Sequence, residues 1–135
     1  MQISKIKKIK FKSFKKDSGI LIPLSFKKDF PITVKRIFLI KGKKNFIRGD
    51  HAHKKCSQFL IPILGKIKIE SVSKNGKKKF ILDHSKKEGF LIKPRTWLKI
   101  KFLTNDSILM VACDREYEFN DYIEKFNDFL KIIKK

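Results

Sequence analysis

The fold of this chain is decided by a stretch near its middle, Lys66-Ile67-Lys68-Ile69-Glu70-Ser71-Val72-Ser73-Lys74-Asn75-Gly76-Lys77. Its first five residues alternate strictly between polar and apolar side chains, which is the pattern of a β-strand with one buried face. The Asn75-Gly76 pair that follows is a preferred sequence for a tight hairpin turn. An apolar segment at residues 79–82 then provides a return strand. The sequence therefore predicts an antiparallel β-hairpin here.

Short segments of the same character lie on both sides of this hairpin. Turn residues separate them at intervals of roughly eight to twelve residues, which gives about ten short strands in all. The segments outside the hairpin are residues 9–15, 20–24, 33–40, 48–54, 56–65, 90–92, 98–102 and 107–113. Many short strands at regular spacing are typical of an all-β sandwich or barrel.

The C-terminal segment has a different period. From Asp121 to Lys135 the apolar residues recur at intervals of three and four, which is the pattern of an amphipathic helix. They are Tyr122, Ile123, Phe126, Phe129, Leu130 and Ile133. Asn120 or Asp121 would cap this helix. No linker or internal repeat divides the chain, so we expect residues 1–135 to form a single domain.

Composition favours a globular protein. The chain has 135 residues, of which 41% are hydrophobic and 13 are Phe, enough to build a core. No apolar run reaches the roughly 18 residues of a membrane span. The basic N-terminus is not followed by the apolar core of a signal peptide. These features predict a cytoplasmic protein that does not enter a membrane.

The charge is strongly positive, with a formal net charge of +21. Such a charge usually favours a polyanionic partner. The lysines are spread along the whole chain, however, and Arg contributes only four basic residues, at positions 36, 48, 95 and 115. No nucleic-acid-binding motif accompanies them. We interpret most of this charge as solvated surface and a smaller part as attraction for an anionic substrate, with a basic barrel that binds nucleic acid as an alternative.

The residues with the clearest chemical potential form one stretch, Arg48-Gly49-Asp50-His51-Ala52-His53-Lys54, which contains two of the three histidines of the chain. On a strand, residues two apart point to the same face, so His51 and His53 would present two imidazoles side by side. Such a pair suits proton transfer near neutral pH or metal ligation. Spacing alone also allows two polar residues on a solvated strand.

A β-barrel with a central H-x-H pattern resembles the cupin fold. Gln58 stands where metal-binding cupins have a carboxylate ligand, and Trp97-Leu98 replaces the segment that supplies a later histidine. A catalytic metal normally needs at least three protein ligands, so we predict no metal and no other cofactor. Cys56 and Cys113 form no C-x-x-C motif and are expected to be buried, reduced thiols.

Several linked motifs make the resemblance more specific. They are Arg48-Gly49-x-His51-Ala52-His53-Lys54-Lys55-x-x-Gln58, then Gly89-x-x-x-x-Pro94-x-x-Trp97, and finally Asp121-Tyr122-Ile123-x-x-Phe126-x-x-Phe129-Leu130. With them the chain is similar to the sugar-nucleotide 3,4-ketoisomerases from about Lys10 to Leu130. The resemblance implies an all-β cupin (RmlC-like jelly-roll) barrel with a C-terminal helix. It also implies a homodimer in which N-terminal strands are exchanged.

These enzymes act without a metal on dTDP-4-keto-6-deoxyglucose, in the synthesis of deoxyaminosugars for lipopolysaccharide or S-layer glycans. The resemblance implies that a base removes the proton from carbon 3, giving an enediol, and that a proton returns at carbon 4. His51 would be the base and His53 its partner. The 3-keto product would pass to a PLP-dependent aminotransferase. The implied substrate-binding residues are Arg48, Lys54, Phe38, Gln58, Trp97 and Leu98.

Simpler interpretations of three of these residues stay open. Arg48 has a guanidinium suited to a diphosphate but could pair with a carboxylate. Gln58 could be a barrel-lining amide, and Trp97 could belong to the core.

The chain departs from its apparent relatives at three positions. Relatives commonly have an aromatic hydroxyl in the strand that holds Phe38, a His or Arg at Leu98, and an Arg or Tyr at Ser18. The last two positions bear on the face of carbon 4 that is protonated, so the galacto or gluco configuration of the product stays open. Another nucleotide-sugar cupin isomerase or epimerase is the alternative enzyme.

Overall fold

A computed structural model describes residues 6–134, which form twelve β-strands and two short α-helices. Residues 1–5, whose basic character entered the prediction about a signal peptide, lie outside the described residues, as does residue 135. Among the described residues, no helix is long and apolar enough to cross a membrane.

Ten of the strands form two five-stranded sheets in which every described pair of neighbours is antiparallel. The first sheet has the spatial order β1 (Lys7–Lys10), β9 (Glu88–Ile92), β6 (Gln58–Leu64), β11 (Ser107–Cys113) and β4 (Arg36–Gly42). The second has the order β12 (Tyr122–Ile123), β5 (Ile47–His53), β10 (Trp97–Phe102), β7 (Lys66–Ser73) and β8 (Gly76–Asp83). The predicted hairpin is the β7–β8 pair, and its turn lies at residues 74–75, so that Gly76 opens β8.

The main core lies between the two sheets and follows from the alternation in the sequence. On β7 the side chains of Ile67 and Ile69 are fully buried, while Lys66 and Lys68 face outward. Residues of both sheets meet in this core: Leu60, Phe90, Ile92, Leu109 and Val111 from the first, and Ile67, Ile69, Leu82, Leu98, Ile100 and Phe102 from the second. The all-β barrel predicted from the strand pattern is confirmed.

A β-bulge in β5 positions the histidine stretch. Leu98 of β10 pairs with His51, but the next residue, Lys99, pairs with Gly49, so Asp50 is the extra residue of the bulge. Gly49 and Asp50 both have positive φ angles, +84° and +63°. Because side chains alternate along a strand, Arg48 and His51 would face opposite sides without this extra residue. The bulge brings them to the same side.

The C-terminal helix is shorter than the sequence predicts. Helix α2 spans Phe126–Ile133, whereas Tyr122 and Ile123 form strand β12, which pairs with β5. The prediction that Asn120 or Asp121 caps this helix is therefore wrong. Asp121 instead bonds to the chain just after β5, and this places the following residues alongside that strand.

Two boundaries near the N-terminus also differ from prediction. Residues 9–15 are not one strand: β1 ends at Lys10, and Phe14–Lys16 (β2) pairs with Gly19–Leu21 (β3) in a separate hairpin. A one-turn helix, α1, follows at Phe26–Asp29. Residues 33–35 precede β4, and the side chains of Ile32 and Val34 pack against the hydrophobic cluster that contains Phe59 and Leu91 of the first sheet.

Candidate active site

A cavity of about 540 Å³ opens between the two sheets, beside the bulge. Five of the eight predicted site residues line it: Phe38, Arg48, His51, Gln58 and Leu98. They come from β4, β5, β6 and β10, so the barrel brings together residues that are up to 60 positions apart in sequence. The cavity lies in the range of volumes that hold small-molecule ligands.

His51 is the histidine in the wall of the cavity. Its Nδ1–H donates to the carbonyl oxygen of Gly49 at 3.1 Å, which leaves Nε2 as the basic atom. Burial lowers the pKa of His51, and this outweighs the opposing hydrogen bond to Gly49. The ring is therefore held neutral and in one tautomer, as a general base requires.

His53 lies behind His51 and is only 5% exposed. The ring centroids of the two histidines are 5.2 Å apart. The Nδ1–H of His53 donates to the Asp121 carboxylate at 3.0 Å, and its buried Nε2 has no hydrogen-bond partner among the described residues. Burial lowers the pKa of His53 despite the Asp121 interaction, which raises it. His53 is not among the residues that line the cavity. The two imidazoles are therefore neighbours, but only that of His51 reaches the cavity.

Asp121 holds this arrangement together. Its Oδ1 accepts the backbone N–H of Lys55 at 2.7 Å, and its Oδ2 accepts that of Cys56 at 3.2 Å in addition to His53. Burial raises the pKa of Asp121, but these hydrogen bonds outweigh burial and the net shift is downward. A charged carboxylate thus fixes the orientation of His53.

Arg36, Tyr117 and Tyr122 are among the cavity residues that were not recognised from the sequence. Tyr122 packs against both imidazoles, with ring centroids 5.0 Å from His51 and 4.4 Å from His53. Arg36 lies over the ring of Tyr117, 5.6 Å from its centroid. The signal that could have identified Tyr122 is its place in the Asp121-Tyr122-Ile123 motif of the family resemblance. The helical spacing of the apolar residues instead assigned it to the C-terminal helix.

The charged groups of the cavity are all basic. Arg36, Lys41 and Arg48 line it, and no acidic side chain is among the described lining residues. Burial lowers the pKa of Arg36, but the Tyr122 hydroxyl and the Cys113 sulfur raise it more, so the guanidinium stays charged. Such a cavity favours an anionic ligand, and Arg matches the oxygens of phosphate groups particularly well.

Two predicted binding residues lie outside the cavity. Leu98 faces inward, so its neighbour Trp97 points to the other face of β10. There the indole packs against Phe129 of α2 and donates its Nε1–H to Asp50 at 3.0 Å. Lys54 lines a separate surface depression near α2. The prediction that Trp97 forms a pocket wall is corrected: it supports the bulge from behind.

Metal-ligand side chains approach each other at one place. Potential ligand atoms of His53, Cys56 and Asp121 lie within 4.8 Å of one another. Three N–H donors already occupy the Asp121 oxygens, so this carboxylate acts as a hydrogen-bond acceptor that organises the loop. Cys56 and Cys113 are buried and free, as predicted, and the Cys113 sulfur accepts from Arg36 at 3.8 Å.

The chain is similar to known proteins along nearly its whole length. The model of the family FdtA, described as WxcM-like, C-terminal, matches residues 4–134. A TDP-4-oxo-6-deoxy-alpha-D-glucose-3,4-oxoisomerase from Aneurinibacillus thermoaerophilus is 31% identical over 132 residues, which cover 96% of this chain and 93% of the relative. QdtA, a sugar 3,4-ketoisomerase from Thermoanaerobacterium thermosaccharolyticum solved in complex with TDP, is 31% identical with a TM-score of 0.89, over 96% of this chain and 94% of QdtA.

A more distant likeness concerns the fold alone. The rmlC epimerase of Mycobacterium tuberculosis has a TM-score of 0.77 at 12% identity, over 90% of this chain and 69% of the epimerase. The predicted cupin (RmlC-like jelly-roll) fold and the resemblance to 3,4-ketoisomerases are both confirmed. The chain belongs to the FdtA, WxcM-like family and is an isomerase of the sugar 3,4-ketoisomerase class.

Proposed function

We propose that this enzyme converts dTDP-4-keto-6-deoxy-D-glucose to a dTDP-3-keto-6-deoxyhexose by acid–base transfer of one proton at the histidine pair. The substrate is suggested by the printed name of the Aneurinibacillus relative, and the mechanism by the cavity. The observation that carries the proposal is His51, a neutral imidazole with a defined tautomer in the wall of a basic cavity.

The reaction needs a base near carbon 3. In the proposed first step, Nε2 of His51 takes the carbon-3 proton, which is acidic because the carbon-4 ketone is adjacent. The electron pair of the C–H bond forms the carbon 3–carbon 4 double bond, and the carbonyl electrons move to oxygen 4. In the second step the proton returns at carbon 4 and oxygen 3 becomes the ketone. Both steps need a group whose pKa lies near the working pH.

His53 is proposed as the partner of His51. From the sequence, His51 is expected to abstract the proton and His53 to act as its partner. Since His53 is buried behind His51, we assign direct contact with the sugar to His51 alone. Burial keeps His53 neutral, although Asp121 raises its pKa, so the pair does not hold two positive charges while His51 carries the proton.

The remaining lining residues fit the rest of the substrate. Arg48 supplies a guanidinium group for the diphosphate, and the amide of Gln58 can hydrogen-bond the sugar or the base. Phe38 and Leu98 give apolar walls. The product configuration at carbon 4 stays open between galacto and gluco.

The test of substrate and reaction class is an NMR assay of the purified enzyme with dTDP-4-keto-6-deoxyglucose. We expect a 3-keto product with the diphosphate intact. A product that keeps its carbon-4 ketone and is inverted at carbon 3 or 5 would overturn the proposal in favour of the alternative epimerase.

We further propose a cytoplasmic homodimer to which each chain contributes N-terminal strands. β1 pairs with β9 of its own chain, so the β2–β3 hairpin is the N-terminal element left to reach a partner. Phe14, Ile20 and Leu21 on this hairpin are about half exposed or more. An isolated two-stranded hairpin is marginally stable in water, which favours its packing against a second copy.

Light scattering on the eluting protein tests this assembly. The wild type should have twice the 16.0 kDa mass of one chain, and Leu21→Glu should shift it towards the monomer. Lys15→Glu, which changes another exposed residue of the same hairpin, is the matched control and should stay dimeric. A wild-type protein that is monomeric at micromolar concentration would contradict the proposal.

A further inference from the structure

The proposed reaction moves protons on oxygen as well as on carbon. When carbon 3 loses its proton, oxygen 4 becomes negative and needs a proton. When carbon 4 is protonated, the hydroxyl of oxygen 3 must release one. A single group that first donates and then accepts could serve both oxygens, because they lie on adjacent carbons. His51 is occupied with the carbon proton at this stage.

The lining of the cavity restricts the choice of that group. Arg side chains donate but do not release their protons, and the Gln58 amide does not act as an acid. Lys41 is exposed and, by the alternation along β4, lies on the face opposite Phe38 and Ile40. A phenol can donate as the neutral form and accept as the phenolate. The chain has two tyrosines, Tyr117 and Tyr122, and both line the cavity. Tyr117 lies at the rim, 58% exposed, whereas Tyr122 is partly buried.

Tyr122 is also held in register with the histidines. It lies on β12, where it pairs directly with His53 of β5. The residue before it, Asp121, is fixed by the hydrogen bond from the Lys55 backbone N–H to its carboxylate. Its ring contacts both imidazoles, with centroids 5.0 and 4.4 Å away. A phenol at this position therefore shares the same part of the cavity with the base.

A cation lies beside the hydroxyl. Arg36 lines the cavity together with Tyr122, whose hydroxyl raises the pKa of the guanidinium, and no acidic side chain is among the described lining residues. Arg36 is further held over the rings of Phe38 and Tyr117, 5.1 and 5.6 Å from their centroids. A fixed positive charge next to a phenol stabilises the phenolate that forms when the proton leaves.

We propose that Tyr122 is a catalytic residue that carries the proton between oxygen 4 and oxygen 3, with Arg36 stabilising its phenolate. This deepens the proposed function and rests on it. As His51 takes the carbon-3 proton, the Tyr122 O–H bond breaks and oxygen 4 is protonated. The phenolate then takes the proton of the oxygen-3 hydroxyl, the carbon 3–oxygen 3 double bond forms, and carbon 4 recovers the proton from His51. Tyrosine and histidine return to their starting forms, so no other reactant is needed.

The test compares Tyr122→Phe with Tyr117→Phe in steady-state turnover of dTDP-4-keto-6-deoxyglucose. Both changes remove one hydroxyl from the cavity. Loss of a general acid–base group costs about 10²- to 10⁴-fold, so kcat of Tyr122→Phe should fall at least about 100-fold with KM little changed. Tyr117→Phe should lose much less. Equal and small losses in the two variants, with unchanged melting temperatures, would overturn the proposal.

A second variant separates proton transfer from packing. Incorporation of 3-fluorotyrosine at position 122 keeps the ring and its contacts but makes the phenol more acidic. The alkaline limb of the kcat–pH profile should then move to lower pH, and an unmoved limb would contradict the role. Turnover by the wild type is the reference. If the wild type has no turnover, the proposed function itself is rejected. If the wild type turns over the substrate and Tyr122→Phe is equally active, only this inference is rejected.

Discussion

At the scale of single residues, the two histidines make the same kind of hydrogen bond, but His51 is partly exposed and His53 is buried. Each donates its Nδ1–H to an oxygen acceptor, the Gly49 carbonyl for His51 and the Asp121 carboxylate for His53, and so each keeps a basic Nε2. The sequence shows that both imidazoles belong to one stretch, but it does not predict which of them lines the cavity and which lies behind. That order depends on residue 121, which is 68 positions away from His53.

The pH dependence of activity follows from these histidines. Burial lowers the pKa of both below the ordinary 6.5, and a base must be neutral to accept a proton. We therefore expect kcat/KM to be constant near pH 7 and to fall only when the pH drops through an apparent value below 6.5. Because the rings are coupled, the profile reports the pair. A limb at or above 6.5 would contradict this account.

Protein stability should respond to acid in the same direction. A histidine with a lowered pKa binds a proton more readily in the unfolded chain, so its contribution to the free energy of unfolding is present above 6.5 and is lost as the pH falls below that value. The pKa of Asp121 is also lowered, so its contribution is lost at still lower pH, below its ordinary 3.8. Thermal melts between pH 7 and 5 should show this loss, and His53→Asn should reduce the slope.

At the scale of elements, the bulge in β5 is the device that assembles the site. It turns Arg48 and His51 to one side, and Trp97 secures it through Asp50. The terminal helix packs on the same indole through Phe129, so its contribution to the site is indirect. Strand alternation predicted the sheet faces correctly, but a bulge depends on pairing with β10 and could not be predicted from β5 alone.

Gly49→Ala tests the bulge. Gly49 has a φ of +84°, and an added Cβ would lie 3.2 Å from the Leu98 carbonyl oxygen. We expect a loss of more than about 1 kcal/mol in the free energy of unfolding, together with a large fall in kcat because His51 and Arg48 no longer align.

The matched control is Gly76→Ala in the β7–β8 turn. Gly76 also has a positive φ, +114°, but its added Cβ meets nothing within 4 Å. This variant should lose some stability and keep the kcat of the wild type. A Gly49→Ala enzyme with wild-type kcat would show that the bulge does not position the site.

At the scale of the whole molecule, two sheets bring residues from five strands and a C-terminal segment to one basic cavity. The strand spacing and linked motifs were enough to predict the barrel and the family. They did not reveal Tyr122, because its apolar spacing imitates a helix, nor Arg36, because a basic residue in a lysine-rich chain gives no separate signal. Only the pairing of β12 with β5 distinguishes Tyr122.

Removal of metal ions tests whether the reaction in the cavity is independent of a metal. His51 is the only side chain of the His, Cys, Asp or Glu types among its described lining residues. A catalytic metal normally needs about three protein ligands. We expect kcat to be unchanged after dialysis against EDTA. Loss of activity that is restored by one divalent metal would contradict the metal-free mechanism.

The most direct test of the central claim is NMR of dTDP-4-keto-6-deoxyglucose in deuterated water with the wild type and His51→Asn. His84→Asn, which changes an exposed turn residue, serves as the control. The account predicts that the wild type and the control give a 3-keto product with exchange confined to carbons 3 and 4. His51→Asn should give neither exchange at carbon 3 nor product. Exchange at carbon 3 by His51→Asn at the wild-type rate would contradict the claim that His51 removes that proton.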